Sequence, residues 1–180
     1  MSVSLVYETH STTVDNETGI ATGWLPGSLS PAGEANAREL GARRRDDGIL
    51  CVYTSDLRRA VQTARLAFDG VLPIRVDQRL RECNYGSLNG APTGSLDRSA
   101  HIDEPFPGGQ SYREVVAATR TFLRDLAAWH DGARVLVVAH SANRWALDHL
   151  LLGRDLAELI AAPFGWQPGW EYLLPPHDPP

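Results

Sequence analysis

Apolar positions along this chain recur in two periods, and the switches between them predict its elements. Val3 to Glu8 carries Val, Leu, Val and Tyr with no polar face at helical spacing, which predicts a buried first strand. Short apolar runs at Ile49 to Tyr53 and Pro73 to Val76 predict two more. Arg134 to Ala139 is apolar on both faces, as a parallel strand covered by helices must be, and predicts the central strand. Elsewhere the apolar spacing is that of a helix. Ser30 and Pro31 form a capped start for a helix running to about Arg45, with Ala35 and Leu40 inward and the arginine triplet at a solvated C-terminal end. A second helix, capped by Ser55 or Asp56, repeats Leu57, Ala60, Val61, Ala64 and Phe68. A third follows the Gly108 to Ser111 turn, buries Val115, Phe122, Leu126 and Trp129, and ends near Gly132. A fourth runs from Ser141 to about Leu152.

The intervening stretches read as loops. Ser11 to Gly27 is turn-rich, punctuated by Gly19, Gly23, Pro26 and Gly27. Ala91 to Pro107 is polar and irregular, too long for a simple connector, and reads as a lid or substrate loop. Asp155 to Pro180 predicts a short helix, an edge strand at Trp170 to Leu174 and a Pro-rich tail over 176–180. Strands alternating with helices predict an α/β fold, a three-layer αβα sandwich on a mostly parallel sheet, in one domain over residues 1–175.

Composition narrows the function. The net charge of −5 and the lack of a basic stripe argue against nucleic acid. Cys51 and Cys83, the 2 cysteines, stand in no CxxC or Cys/His spacing and suggest neither a disulfide scaffold nor zinc. No leader pattern or apolar span is visible, so a cytoplasmic protein is expected, with no membrane partner. Oligomeric state is not readable.

The candidate chemistry sits where predicted strands end. His10 follows the first strand and His140 follows the central one, the edge of an open sheet at which ligands bind. They meet only if their strands are neighbours. Arg59, in the first turn after another strand, opposes the helix dipole at a small cost, which favours a functional role.

Together His10, Arg59, Glu82 and His140 resemble the histidine phosphatase superfamily, the phosphoglycerate mutase-like proteins, over nearly the whole chain. Two registers are open for the family's Arg-His-Gly-Glu-Thr motif. Aligning Leu5-Val6 with the family's Leu-Val puts Glu8 in the place of the catalytic histidine. Aligning His10 instead places Thr13, Asn16, Gly19, Gly23 and Trp24 on family positions without a gap, and is preferred. Leu29 to Gly33, Thr54 to Ala64, Leu80-Arg81-Glu82, Gly108 to Ser111 and Val137 to His140 resemble the remaining motifs in order. The resemblance implies a phosphohistidine on His10, Arg59 and His140 on the phosphoryl oxygens, and Glu82 as the acid. It implies further contacts from Thr9, Ser11, Asn16, Thr22 and Ser141, with no metal and no cofactor. The substrate implied is a small phosphomonoester, and the length implies hydrolase rather than mutase.

The departures shape the alternatives. Thr9 stands where the family has its first arginine, Ser11 where it has glycine, and Thr12 where it has glutamate. Arg81 and Arg144 are the nearest replacements for the lost guanidinium by sequence. The altered motif also fits a binding module that has lost phosphoryl transfer, or a remodelled pocket for another reaction.

Overall fold

The computed structural model describes residues 1–176; the end of the Pro-rich tail, 177–180, lies outside the described residues. A five-stranded sheet forms the middle layer. Its strands are β1 (Val3–Thr9), β3 (Cys51–Thr54), β4 (Ile74–Val76), β6 (Arg134–Ala139) and β7 (Trp170–Leu174), in the order β4-β3-β6-β1-β7. The first four are parallel, and β7 runs antiparallel on the edge beside β1. A short ribbon pairs β2 (Ile20–Ala21) with β5 (Ala91–Pro92).

Side-chain alternation along the strands builds two cores. Val6, Val52, Leu136 and Val138 face one side and pack on Leu40 of α2 (Pro31–Arg44) and on Ala64 and Phe68 of α3 (Arg58–Phe68). Leu5, Tyr7, Val135 and Val137 face the other. They pack on Phe122, Leu123 and Leu126 of α4 (Tyr112–Trp129) and on Leu147 of α5 (Ser141–Leu152). The expected three layers are therefore present. Each buried aliphatic side chain contributes about 1.5–3 kcal/mol, so a charged residue at Val137 breaks the fold.

The helix starts follow their caps. Ser30 Oγ accepts from Gly33 N, and Ser111 and Glu114 form a reciprocal box at the head of α4. Gly33 also lets α2 approach the chain after His10, since a Cβ there would lie 1.8 Å from the Thr12 carbonyl oxygen.

Several expectations need correction. The turn-rich stretch contains a one-turn helix, α1 (Val14–Glu17), because Thr13 and Asn16 cap it reciprocally. Neither Ser55 nor Asp56 is the N-cap of α3; Leu57 holds that position without a side-chain cap, while Ser55 binds His140 and Asp56 binds Arg81. Ala35 and Trp129 are exposed; the inward stripe of α2 runs through Ala37 and Leu40, and that of α4 ends at Ala127. The arginine triplet is not simply solvated, since Arg44 is buried on Glu8.

The 91–107 stretch is better anchored than its polarity suggested. Leu96 and Phe106 are buried with Cys83, Tyr85, Tyr112 and Trp145 in a third cluster, which also holds Leu156, Leu159 and Ile160 of α6 (Leu156–Ala161). The 3-10 turn Arg98–His101 packs on α6. The stretch is thus packed down on α6 and on the third cluster by buried anchors. Among the described residues no helix is long and apolar enough to cross a membrane.

Candidate active site

The register of the sheet decides where the two histidines lie. β1 and β6 are neighbours with Thr9 opposite Ala139, so His10 and His140 emerge side by side from adjacent strand ends. His10 N donates to Ala139 O at 2.8 Å, and the imidazole centroids are 5.2 Å apart. β3 lies on the other flank of β6 and delivers Ser55 to the same edge.

Two hydrogen bonds hold the His10 imidazole and one holds that of His140. His10 Nδ1 lies 2.8 Å from the Ser11 carbonyl oxygen, an acceptor only, so Nδ1 carries the proton. That leaves a lone pair on Nε2, which accepts from Arg59 Nε at 3.3 Å. Burial, with Arg59 beside it, lowers the His10 pKa to about 3, so the ring is neutral at physiological pH. His140 is fully buried, and its Nε2 is 2.7 Å from Ser55 Oγ. Burial, and then the charges on Arg59 and His10, hold its pKa well below the ordinary value. Its Nδ1 is buried without a partner, and His140 lines neither of the two hollows that flank His10.

Arg59 is aimed by the backbone. Nη2 donates to Gly23 O at 2.8 Å and Nη1 to Leu25 O at 3.2 Å, leaving the Nε edge turned towards His10. Gly23 is itself constrained, with φ +54° and room for a Cβ only 1.9 Å from Asn89 Oδ1. Asn89 Oδ1 also accepts from Trp24 N and Tyr85 N, tying the Arg59 anchor to the loop that carries Glu82.

Glu82 is buried, and burial raises its pKa. The Cys83 amide, 2.7 Å from Oε1, then Arg59, Arg98 and the Ala142 amide work in the opposite direction. His10, Asn16, Thr22, Arg59, Glu82 and Ser141 all line one cavity of about 440 Å³. A second hollow of about 680 Å³ opens on the other side of His10, and Thr9 and Ser11 line that one. Asn16 Oδ1 is held by the Thr13 amide, and Thr22 Oγ1 donates to Asp15 Oδ2 at 2.7 Å.

Glu8, the residue of the alternative register, is buried at the edge of the second hollow and is bound by arginines of α2. Its Oε1 accepts from Arg44 at 2.8 and 3.0 Å and from Arg43 at 3.1 Å, an ion cluster between β1 and α2. The two arginines proposed to replace the missing one are also engaged elsewhere. Arg81 forms two hydrogen bonds with Asp56 and lies over the Trp24 ring, while Arg144 pairs with Asp148 over Trp170.

The family model of the histidine phosphatase superfamily, branch 1, matches residues 9–165. The chain belongs to that superfamily. This histidine phosphatase is 32% identical over 162 residues to a Hydrogenobacter thermophilus protein named "Putative phosphoserine phosphatase 2", covering 83% of this chain and 79% of that one. It is 36% identical over 112 residues to the 2,3-bisphosphoglycerate-dependent phosphoglycerate mutase of Bifidobacterium longum, covering 59% of this chain and 45% of that enzyme's length. The structure of mycobacterial glucosyl-3-phosphoglycerate phosphatase with VO3 superposes with a TM-score of 0.78 at 30% identity, covering 88% of this chain and 86% of that one. The matched region begins at Thr9 and includes His10, Arg59, Glu82 and His140.

Two site residues escaped the sequence reading. Ser55 looked like a helix cap, because a Ser before a helix usually is one. Arg98 stood in a polar stretch with no motif; Leu96 and Phe106, now seen buried on either side of it, were the available sign that the stretch packs down.

Proposed function

We propose that this protein is a phosphatase that hydrolyses a small phosphomonoester through a phosphohistidine on His10. The observation that supports this most directly is the tautomer: Nδ1 is bound to the Ser11 carbonyl, so the neutral imidazole carries its lone pair on Nε2, where it meets Arg59 Nε at the cavity that both residues line. A nucleophile needs that lone pair, and the depressed pKa keeps it available.

In the first step Nε2 forms a bond to phosphorus in line with the ester oxygen, and the P–O ester bond breaks. The leaving oxygen takes a proton from Glu82, which burial keeps protonated to higher pH than an ordinary carboxyl group. Water then attacks the phosphohistidine with Glu82, now ionised, as base, releasing inorganic phosphate and freeing His10. Arg59 neutralises the nonbridging oxygens. His140 donates its orphaned Nδ1–H to another, because the Ser55 hydroxyl can supply the proton to Nε2. Asn16, whose amide nitrogen is not used in the α1 cap, and Ser141, at the positive end of α5, supply neutral donors. Thr9 and Ser11 carry no charge to the phosphoryl group and lie on the side of the second hollow.

The similar mycobacterial phosphatase holds VO3, and vanadium adopts the five-coordinate shape of an in-line phosphoryl transfer. The test is release of inorganic phosphate from an aryl phosphate with EDTA present. Activity should be inhibited by vanadate and lost in His10→Ala. Turnover that survives unchanged in His10→Ala contradicts the proposal. Product formed without phosphate release favours a different reaction in the same pocket.

A further inference from the structure

The second hollow beside His10 is left unused by hydrolysis of a phosphomonoester. At about 680 Å³ it is larger than the cavity of about 440 Å³ that holds Arg59 and Glu82, and each has room for a small-molecule group. His10, Asn16, Ser141 and Phe164 line both, so the two hollows meet at the nucleophile and at its two neutral donors. A phosphoryl group on His10 Nε2, held by Asn16 and Ser141, therefore has one hollow on each flank. Arg59 and the acid Glu82 line the smaller one only.

The walls of the larger hollow do not suit a bare phosphoryl oxygen. Besides the neutral His10, its ionisable side chains are Glu8, Glu39 and Arg43. Arg43 Nη2 already donates to Glu8 Oε1 at 3.1 Å, and Glu39 brings a second carboxylate. An ionised oxygen turned that way meets a carboxylate, with the one cation of the wall bound elsewhere, and like charges repel. Thr9, where the family carries an arginine, adds only a hydroxyl. An esterified oxygen has no such charge. For its substituent, Phe164 and Trp166, 41% and 62% exposed, offer an apolar wall.

We propose that this protein also cleaves phosphodiesters, seating one ester group in each hollow. This rests on the phosphatase reading for His10 as nucleophile and Glu82 as acid. Nε2 forms a bond to phosphorus, the P–O bond to the group in the smaller cavity breaks, and that oxygen takes the proton of Glu82. The phosphohistidine keeps the second ester group, which lies in the larger hollow. Water then attacks phosphorus and gives a proton to Glu82, and the P–N bond breaks, freeing His10 and releasing a phosphomonoester. That product is itself the kind of substrate on which the monoester reaction acts. A diester carries one negative charge where a monoester carries close to two at neutral pH, a charge that Arg59, the guanidinium hydrogen-bonded to His10, balances.

The test compares the diester bis(p-nitrophenyl) phosphate with the monoester p-nitrophenyl phosphate on the full chain and on Asn36→Trp. Asn36 is an exposed α2 residue that lines the larger hollow alone, so a bulky side chain there fills that hollow without touching the groups that carry the chemistry. Wild type should release nitrophenolate from both substrates and His10→Ala from neither, which excludes a contaminating nuclease. Asn36→Trp should lower kcat/KM for the diester roughly 10- to 100-fold, the scale on which pocket fit discriminates, and leave the monoester within about twofold. Trp166→Ala, which removes the apolar wall, should raise KM for the diester; it decides the matter if Asn36→Trp does not fold. Turnover of the monoester but not the diester overturns the proposal and leaves the phosphatase reading standing. Diester cleavage untouched by Asn36→Trp, or an equal loss on both substrates, also overturns it. Turnover of neither substrate by wild type removes both readings together.

Discussion

Replacing Glu82 by Gln keeps the size and the hydrogen-bonding capacity of the side chain but removes the proton that the leaving oxygen requires. A general acid acts only when protonated, so its contribution falls as pH rises through its pKa. Burial raises that pKa, against the pull of the Cys83 amide, Arg59 and Arg98, and so extends the acid's range upward. The His10 imidazole adds no second limb near neutrality. With a pKa of about 3, only about one molecule in a hundred carries imidazolium at pH 5. The assay is kcat/KM between pH 5 and 9, which reports the phosphoryl-transfer step even where hydrolysis of the phosphohistidine limits kcat. Dividing wild type by Glu82→Gln removes the substrate's own ionisation near pH 6. For an alkyl phosphate the ratio should be about 10²–10⁴ at low pH and should fall towards one at high pH. For an aryl phosphate with an acidic phenol, which leaves without help, it should stay within roughly tenfold of one. A ratio that is flat or rises with pH, or an equal loss on both substrates, refutes the assignment of Glu82 as the acid.

Two other perturbations probe the framework around the site. Glu8→Ala removes three hydrogen bonds from Arg43 and Arg44 but leaves Arg44 paired with Asp47 and Arg43 exposed, so it should cost about 1.5–3 kcal/mol in urea unfolding, the range for a charged hydrogen bond rather than for a stranded charge; a loss below about 1 kcal/mol would show that the cluster is solvated. Gly23→Ala drives a Cβ into Asn89 and forces a positive φ on an L side chain, so it should weaken phosphate binding through the displaced Arg59 anchor as well as lower Tm. Unaltered phosphate affinity in that variant contradicts the claim that the Gly23 carbonyl aims Arg59.

The layered fold was legible because the period of the apolar pattern changes cleanly. Arg134 to Ala139 is flanked by polar turns and could only be a covered strand, and its observed bounds agree with that reading. The strand order was not legible, since the sequence offers no pairing partner for Val137; the meeting of His10 and His140 emerged only with β1 beside β6. The choice between Glu8 and His10 turned on five motif positions, and the burial of Glu8 against α2 supplies its physical reason. Side chains whose partners are remote in sequence were misread. Ser55 and Asp56 each looked like a local cap, yet one binds His140 and the other Arg81. Arg81 and Arg144 were chosen by nearness in sequence, whereas Arg98 reaches the cavity from a stretch whose polarity concealed two buried anchors. Long-range electrostatics leave little trace in local pattern.

The central claim is that phosphate passes through the Nε2 atom of His10. Rapid quench of wild-type protein with a ³²P-labelled phosphomonoester, under alkaline conditions that preserve phosphohistidine, followed by peptide mapping, tests it directly. The account predicts label on the peptide containing His10, stable to base, lost in acid, and absent from His10→Ala. Steady phosphate release with no labelled protein on the quench timescale, or label that persists in His10→Ala, contradicts it.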